Sequence, residues 1–141
     1  MEKKVILVTG ASSGIGKSTA LQLIEEGHIV YGAARRVDKM KDLEDAGGHA
    51  IGMDVLEESQ IKAGIDQIIQ KHDRIDVLVN NAGYAVYGSI EDITIDEARR
   101  QFEVNIFGLA RLTQEVLPHM RKQQSVTIIN ISSVGGKIFT P

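Results

Sequence analysis

Cysteine is absent from the 141 residues, which excludes disulfides and thiolate zinc sites. The four histidines, His28, His49, His72 and His119, have no metal-ligand spacing and read as surface or boundary residues. No apolar run approaches the roughly 20 residues of a membrane span. The opening Met1-Glu2-Lys3-Lys4 leads at once into an apolar segment, so no signal peptide is visible and the cytoplasm is the default location. An excess of one charge is also missing. The net value is −3 and no long stretch is acidic or basic, so nucleic acid is not indicated as a partner. Linkers, internal repeats and low-complexity tracts are lacking too. What remains, 43% apolar and 25% charged residues, describes one globular domain, residues 1–141, with room for a real core.

Short apolar or β-branched segments alternate with helical patterns. Strands are predicted near 4–9, 28–34, 49–53, 75–80 and 125–132, and helices near 14–26, 38–45, 57–72 and 96–122. Continuously apolar strands are expected where helices cover both faces of a parallel sheet. In the third helix Ile61, Ile65, Ile68 and Ile69 form one buried stripe. In the fourth, Ala98, Phe102, Ile106, Leu109, Thr113 and Leu117 are predicted to do the same, with Pro118 kinking the last turn. Gly27 ends the first helix and Gly47-Gly48 the second. Right-handed crossovers then give an α/β fold, a doubly wound parallel sheet of Rossmann type ordered 3-2-1-4-5. Ligands of such sheets bind at the carboxyl ends of the strands, where the order reverses.

The first strand, Val5-Ile6-Leu7-Val8, runs straight into Thr9-Gly10-Ala11-Ser12-Ser13-Gly14-Ile15-Gly16, and a helical pattern follows. Strand, glycine-rich turn and helix N-terminus in that order make a phosphate site. Glycines let the turn lie close against a pyrophosphate, and the helix directs unpaired N–H groups and the positive end of its dipole at the same spot. Asn81, after the fourth strand, falls in the same crevice.

The spacing of Gly10, Gly14 and Gly16, with Thr9 before them, resembles the short-chain dehydrogenase/reductase family, in its NADP-preferring branch. Asp54-Val55, Asn80-Asn81-Ala82-Gly83, Val104-Asn105 and Asn130-Ile131-Ser132-Ser133 follow in the family's order, so the resemblance spans residues 3 to 141. It implies a nicotinamide dinucleotide and a small alcohol or carbonyl substrate exchanging hydride. It also implies that the chain is the N-terminal part of a longer oxidoreductase, cut short before the family's Tyr-x-x-x-Lys pair and inactive alone, with C-terminal strands missing.

By that resemblance Gly10, Ser12, Ser13, Gly14, Ile15 and Gly16 hold the pyrophosphate. Strand two ends at Ala34-Arg35-Arg36, where NAD-specific versions of the fold carry an acidic residue. A guanidinium there suits a ribose 2′-phosphate, so NADP is expected over NAD. The alternative is that Arg35 and Arg36 are solvated charges, and Asp38 keeps NAD open. Asp54 and Val55 are expected at the adenine, although an Asp there can equally cap the next helix. Asn81, Ala82 and Gly83 are expected to line the ribose and nicotinamide, although asparagines also hold turns. Lys17 reads as a solvated first-turn lysine.

Ser133 matches the family's catalytic serine, and Asn105 the asparagine of its proton relay. An Asn in mid-helix is intrinsically unfavourable, which points to function or to a buried structural bond. The Gly-x-Ser-x-Gly of a hydrolase is absent around Ser132-Ser133. Two rivals remain: a non-catalytic dinucleotide-binding module, and an interaction protein that binds no nucleotide. Tyr84, Val86 and Tyr87 are expected at the substrate edge. The family's long helix lies at a subunit interface, so a homo-oligomer is expected, with Val104, Phe107 and Arg111 as candidate contacts.

Overall fold

The computed structural model describes residues 2–138. Five parallel strands, β1 (Val5–Thr9), β2 (Ile29–Ala34), β3 (His49–Gly52), β4 (Val77–Asn80) and β5 (Ile128–Asn130), form one sheet in the order β3-β2-β1-β4-β5. The doubly wound fold is therefore as expected. Residues 139–141, the end of the predicted domain, lie outside the described residues.

Alternation along β1 feeds two cores. Val5 and Leu7 face α3 (Glu58–His72) and α5 (Leu109–Lys122), packing on Ile61, Ile65, Ile68, Leu112, Val116 and Met120. Ile6 and Val8 face the other way, toward α1 (Gly14–Glu25) and α2 (Lys41–Asp45), with Ala20, Met40 and Leu43. The predicted helix 38–45 divides into a 3-10 turn, Val37–Met40, and the short α2. Asp76 fastens the lower ends of β1 and β4. Its buried carboxylate accepts from the Val5 amide at 2.7 Å and from Arg74 Nε at 2.8 Å.

The predicted helix 96–122 is α4 (Ile95–Phe102), a π-helical turn (Glu103–Gly108) and α5 in unbroken succession. The expected inward stripe holds only in part, with Ala98, Leu109, Thr113 and Leu117 half-buried. Phe102 and Ile106 are 57% and 52% exposed, and the buried positions are Gly108, Leu112, Val116 and Met120. A π-turn closes on i→i+5 bonds and so inserts about one extra residue, shifting the inward face of α4 relative to that of α5. Two of the candidate subunit contacts are also used internally: Val104 lines a cavity, and Arg111 donates to Glu103 at 3.0 Å. Pro118 lies within α5.

At the amino end of the sheet Tyr31 is buried, stacked on His49 with ring centroids 4.5 Å apart, and its hydroxyl bonds His72 Nε2 at 2.9 Å. Burial, helped by the neighbouring Lys71, holds both histidines below the ordinary value of 6.5. The folded chain thus disfavours their protonation, and the unfolded chain binds more protons. Stability is then complete above pH 6.5 and falls as pH drops below it. Urea unfolding between pH 8 and pH 5 should show that fall, and the double variant His49→Phe, His72→Phe should flatten it.

Candidate functional site

After β1 the chain turns through Gly10 and Gly14 at φ +66° and +57°, a region that side chains resist. Space is the second constraint. A Cβ on Gly10 would lie 2.9 Å from the Ala82 Cα. One on Gly16 would lie 2.5 Å from the Gly10 carbonyl oxygen and collide with the Asn81 side-chain nitrogen. The turn can close against the end of β4 only with bare backbone at these positions. Ser13 starts α1 with extended backbone and no side-chain cap, so the first-turn amides receive no acceptor from it. Such a helix end, behind a close-fitting glycine turn, suits a phosphate.

Thr9, 2% exposed, joins the two walls. Its hydroxyl accepts from the amides of Asn81 and Ala82, both at 3.0 Å, and donates to the Val79 carbonyl at 3.4 Å. Asn81 Nδ2 returns a bond to the Thr9 carbonyl at 3.1 Å. One residue earlier, Asn80 Nδ2 donates to Thr113 Oγ1 at 3.1 Å and Asn130 Oδ1 at 2.9 Å, linking β4 to α5 and β5. The side chain of Asn105 grips the next stretch. Its Oδ1 accepts from the Tyr84 amide at 3.1 Å and its Nδ2 donates to the Tyr84 carbonyl at 2.8 Å.

A cavity of about 690 Å³ opens at this carboxyl edge. Small-molecule sites run from about 300 to 1,000 Å³. Gly10, Ser12, Ser13, Ile15, Arg35, Arg36, Asp54, Val55, Asn81, Ala82 and Gly83 line it, as do Tyr84 and Val86. Gly14 and Gly16 shape the turn without lining the cavity, and Tyr87 and Asp38 are not among its residues. Asp54 does not cap α3, whose cap is Glu57. Its Oδ1 instead accepts from the Leu56 amide at 3.0 Å in a local turn. Neither Asn105 nor Ser133 touches the cavity, and the Ser133 hydroxyl accepts from the Gly135 amide at 3.1 Å.

Lys17 is not a solvated lysine. Its ammonium donates to the Lys39 carbonyl at 2.6 Å and to Asp42 at 2.9 Å, tying α1 to the segment that follows Arg36. The Lys17 hydrogen bond holds the Asp42 carboxyl below its ordinary range.

A family model described as short chain dehydrogenase matches residues 4–141. The chain belongs to that family. It is 43% identical, over its whole length, to 3-ketodihydrosphingosine reductase of Bacteroides thetaiotaomicron, of which it covers 51%. A short-chain dehydrogenase structure from Streptomyces avermitilis superposes with a TM-score of 0.92 at 42% identity, covering 98% of this chain and 52% of that one. A variant of actinorhodin polyketide ketoreductase solved with NADPH superposes at 0.90 and 34% identity, over 98% and 56% of the two chains. The chain thus spans about half the length of these relatives.

For this short-chain dehydrogenase chain the glycine cradle and the uncapped α1 fit the pyrophosphate of a nicotinamide dinucleotide. Sequence reasoning missed Thr9 as the joint and Glu97, Arg100 and Val104 as cavity lining. A threonine closing an otherwise apolar strand was the available signal for the first. Replacing Thr9 with Val keeps the volume and strands two amides. It should cost about 1–3 kcal/mol in urea unfolding, whereas Thr9→Ser should cost much less.

Proposed function

We propose that the chain is the cofactor-binding part of an NADP(H)-dependent oxidoreductase that interconverts an alcohol and a carbonyl. The observation that carries this reading is the end of β2. Ala34, Arg35 and Arg36 line the cavity there, and no carboxylate among the described residues forms a salt bridge with either arginine. Asp38, the acid that kept NAD open, is not a lining residue. A ribose 2′-phosphate would receive charge-assisted bonds from these guanidinium groups. The NADPH of the ketoreductase relative supports the same choice.

The cofactor supplies a hydride when bound. The chain's own residues bind and orient it: the Gly10–Gly16 turn at the pyrophosphate, Asp54 and Val55 at the adenine, Asn81 to Gly83 along the ribose and nicotinamide. Asn105 holds the Tyr84 backbone and so the wall beside the nicotinamide. Ser133 bonds the substrate oxygen. None of Tyr31, Tyr84 and Tyr87 has a lysine four residues on, so residues 1–141 alone bind cofactor without turning substrate over. That same fact favours, for these residues in isolation, the second reading of a binding module without catalysis.

The protein works in the cytoplasm, and no helix of the described residues is long and apolar enough to cross a membrane. Phe102, at the end of α4, and Ile106 and Phe107, in the π-turn, are exposed apolar side chains that suit contact with a second copy of the chain. Calorimetry should show NADPH binding more tightly than NADH, by at least about tenfold, and Arg35→Asp should erase or reverse the preference. Equal or tighter binding of NADH to the unmodified chain would contradict the assignment.

A further inference from the structure

Arg100 has no place in the reading given so far, yet it lines the cofactor cavity from α4. Two stripes of the α4 and π-turn segment meet the crevice differently. Asn105 holds the Tyr84 backbone, and Gln101 Oε1 accepts from the Val86 amide at 2.6 Å, so that stripe faces residues 84–86. On the other stripe Gly108 abuts Val55. A Cβ there would lie 2.7 Å from Val55 Cγ2. Val104 and Arg100 precede Gly108 at steps of four residues and both line the cavity. Burial rises along that stripe, from exposed Arg100 through half-buried Val104 to buried Gly108, so Arg100 stands at the mouth of the slot whose inner walls include Val55 and Val104.

The carboxylates at that mouth, Glu97 and Asp54, form no salt bridge with Arg100. Glu97, one turn away, is committed to Thr94, accepting from its amide at 2.9 Å and its hydroxyl at 2.7 Å. Asp54 spends one oxygen on the Leu56 amide. Arg100 is exposed and has no salt-bridge partner among the described residues. A planar, weakly hydrated guanidinium at the mouth of a cavity also lined by Val55 and Val104 is suited to cover the face of a flat, electron-rich ring.

We propose that Arg100 is a further cofactor residue that lays its guanidinium over the outer face of the adenine. The assignment rests on the dinucleotide reading above and adds a contact common to NAD and NADP, distinct from the 2′-phosphate contact of Arg35. Calorimetry with 5′-AMP, NADH and NADPH on the chain and its Arg100→Gln and Arg100→Lys variants tests it. Arg100→Gln should weaken all three ligands about three- to tenfold, leaving the NADPH-to-NADH ratio unchanged. Arg100→Lys, which keeps the charge and loses the plane, should fall nearly as far. Because Arg100 is exposed and unbridged, both variants should melt where the parent does. Unchanged affinities overturn the proposal. Weakening of NADPH alone overturns it too, since Arg100 would then be a phosphate ligand. An unmodified chain that binds none of the three removes the dinucleotide reading itself, and this assignment with it.

Discussion

The hydroxyl of Thr9 sits where the two halves of the sheet part, and it holds the amides of Asn81 and Ala82 at 3.0 Å. β1 carries the glycine turn and β4 the asparagine turn. The width of the crevice between them is set by this one buried side chain and by the Asn81 amide that answers it. The same closeness explains the glycines. Gly10 and Gly16 are bare because Ala82, Asn81 and the Gly10 carbonyl occupy the volume that a methyl group would need. The glycine turn is therefore a packing result first, and α1 is left with no side-chain cap at its start.

From that joint the rest of the site follows outward in layers. Asn80 ties β4 to β5 and α5, Asn105 ties the Tyr84 backbone to the π-turn, and Lys17 ties α1 to the segment beyond Arg36. Each of these bonds joins two separate elements around the crevice. The walls are thus fixed by polar contacts between elements rather than by loop stiffness, as a preorganised cofactor site requires. The membership of the short-chain dehydrogenase family agrees with this frame.

The sheet order and the glycine turn were legible because their signals are local and periodic: continuous apolar strands, and glycine at positions with positive φ. Ile61, Ile65 and Ile68 face the core as their spacing predicts. The long helix was misread because a π-turn is invisible to a 3.6-residue period, so Phe102 and Ile106 were placed inside and Val104 outside the site. Lys17 was misread because its partners, Lys39 and Asp42, are supplied by an element 22 and 25 residues away. Asp54 shows the opposite case, where a side chain equally readable as the cap of α3 instead stabilises its own turn. Mid-helix Asn105 did signal something unusual, and the structural half of the answer is its pair of hydrogen bonds to the Tyr84 amide and carbonyl.

The central claim is that this chain binds a dinucleotide across the carboxyl ends of β1 and β4. Amide chemical-shift mapping by NMR during titration with NADPH tests it most directly. The account predicts saturable shifts for Gly10 to Gly16, Arg35, Arg36 and Asn81 to Gly83, with the Tyr31, His49 and His72 cluster at the opposite end of the sheet unmoved. Shifts centred on that cluster, or none at millimolar NADPH, would contradict it.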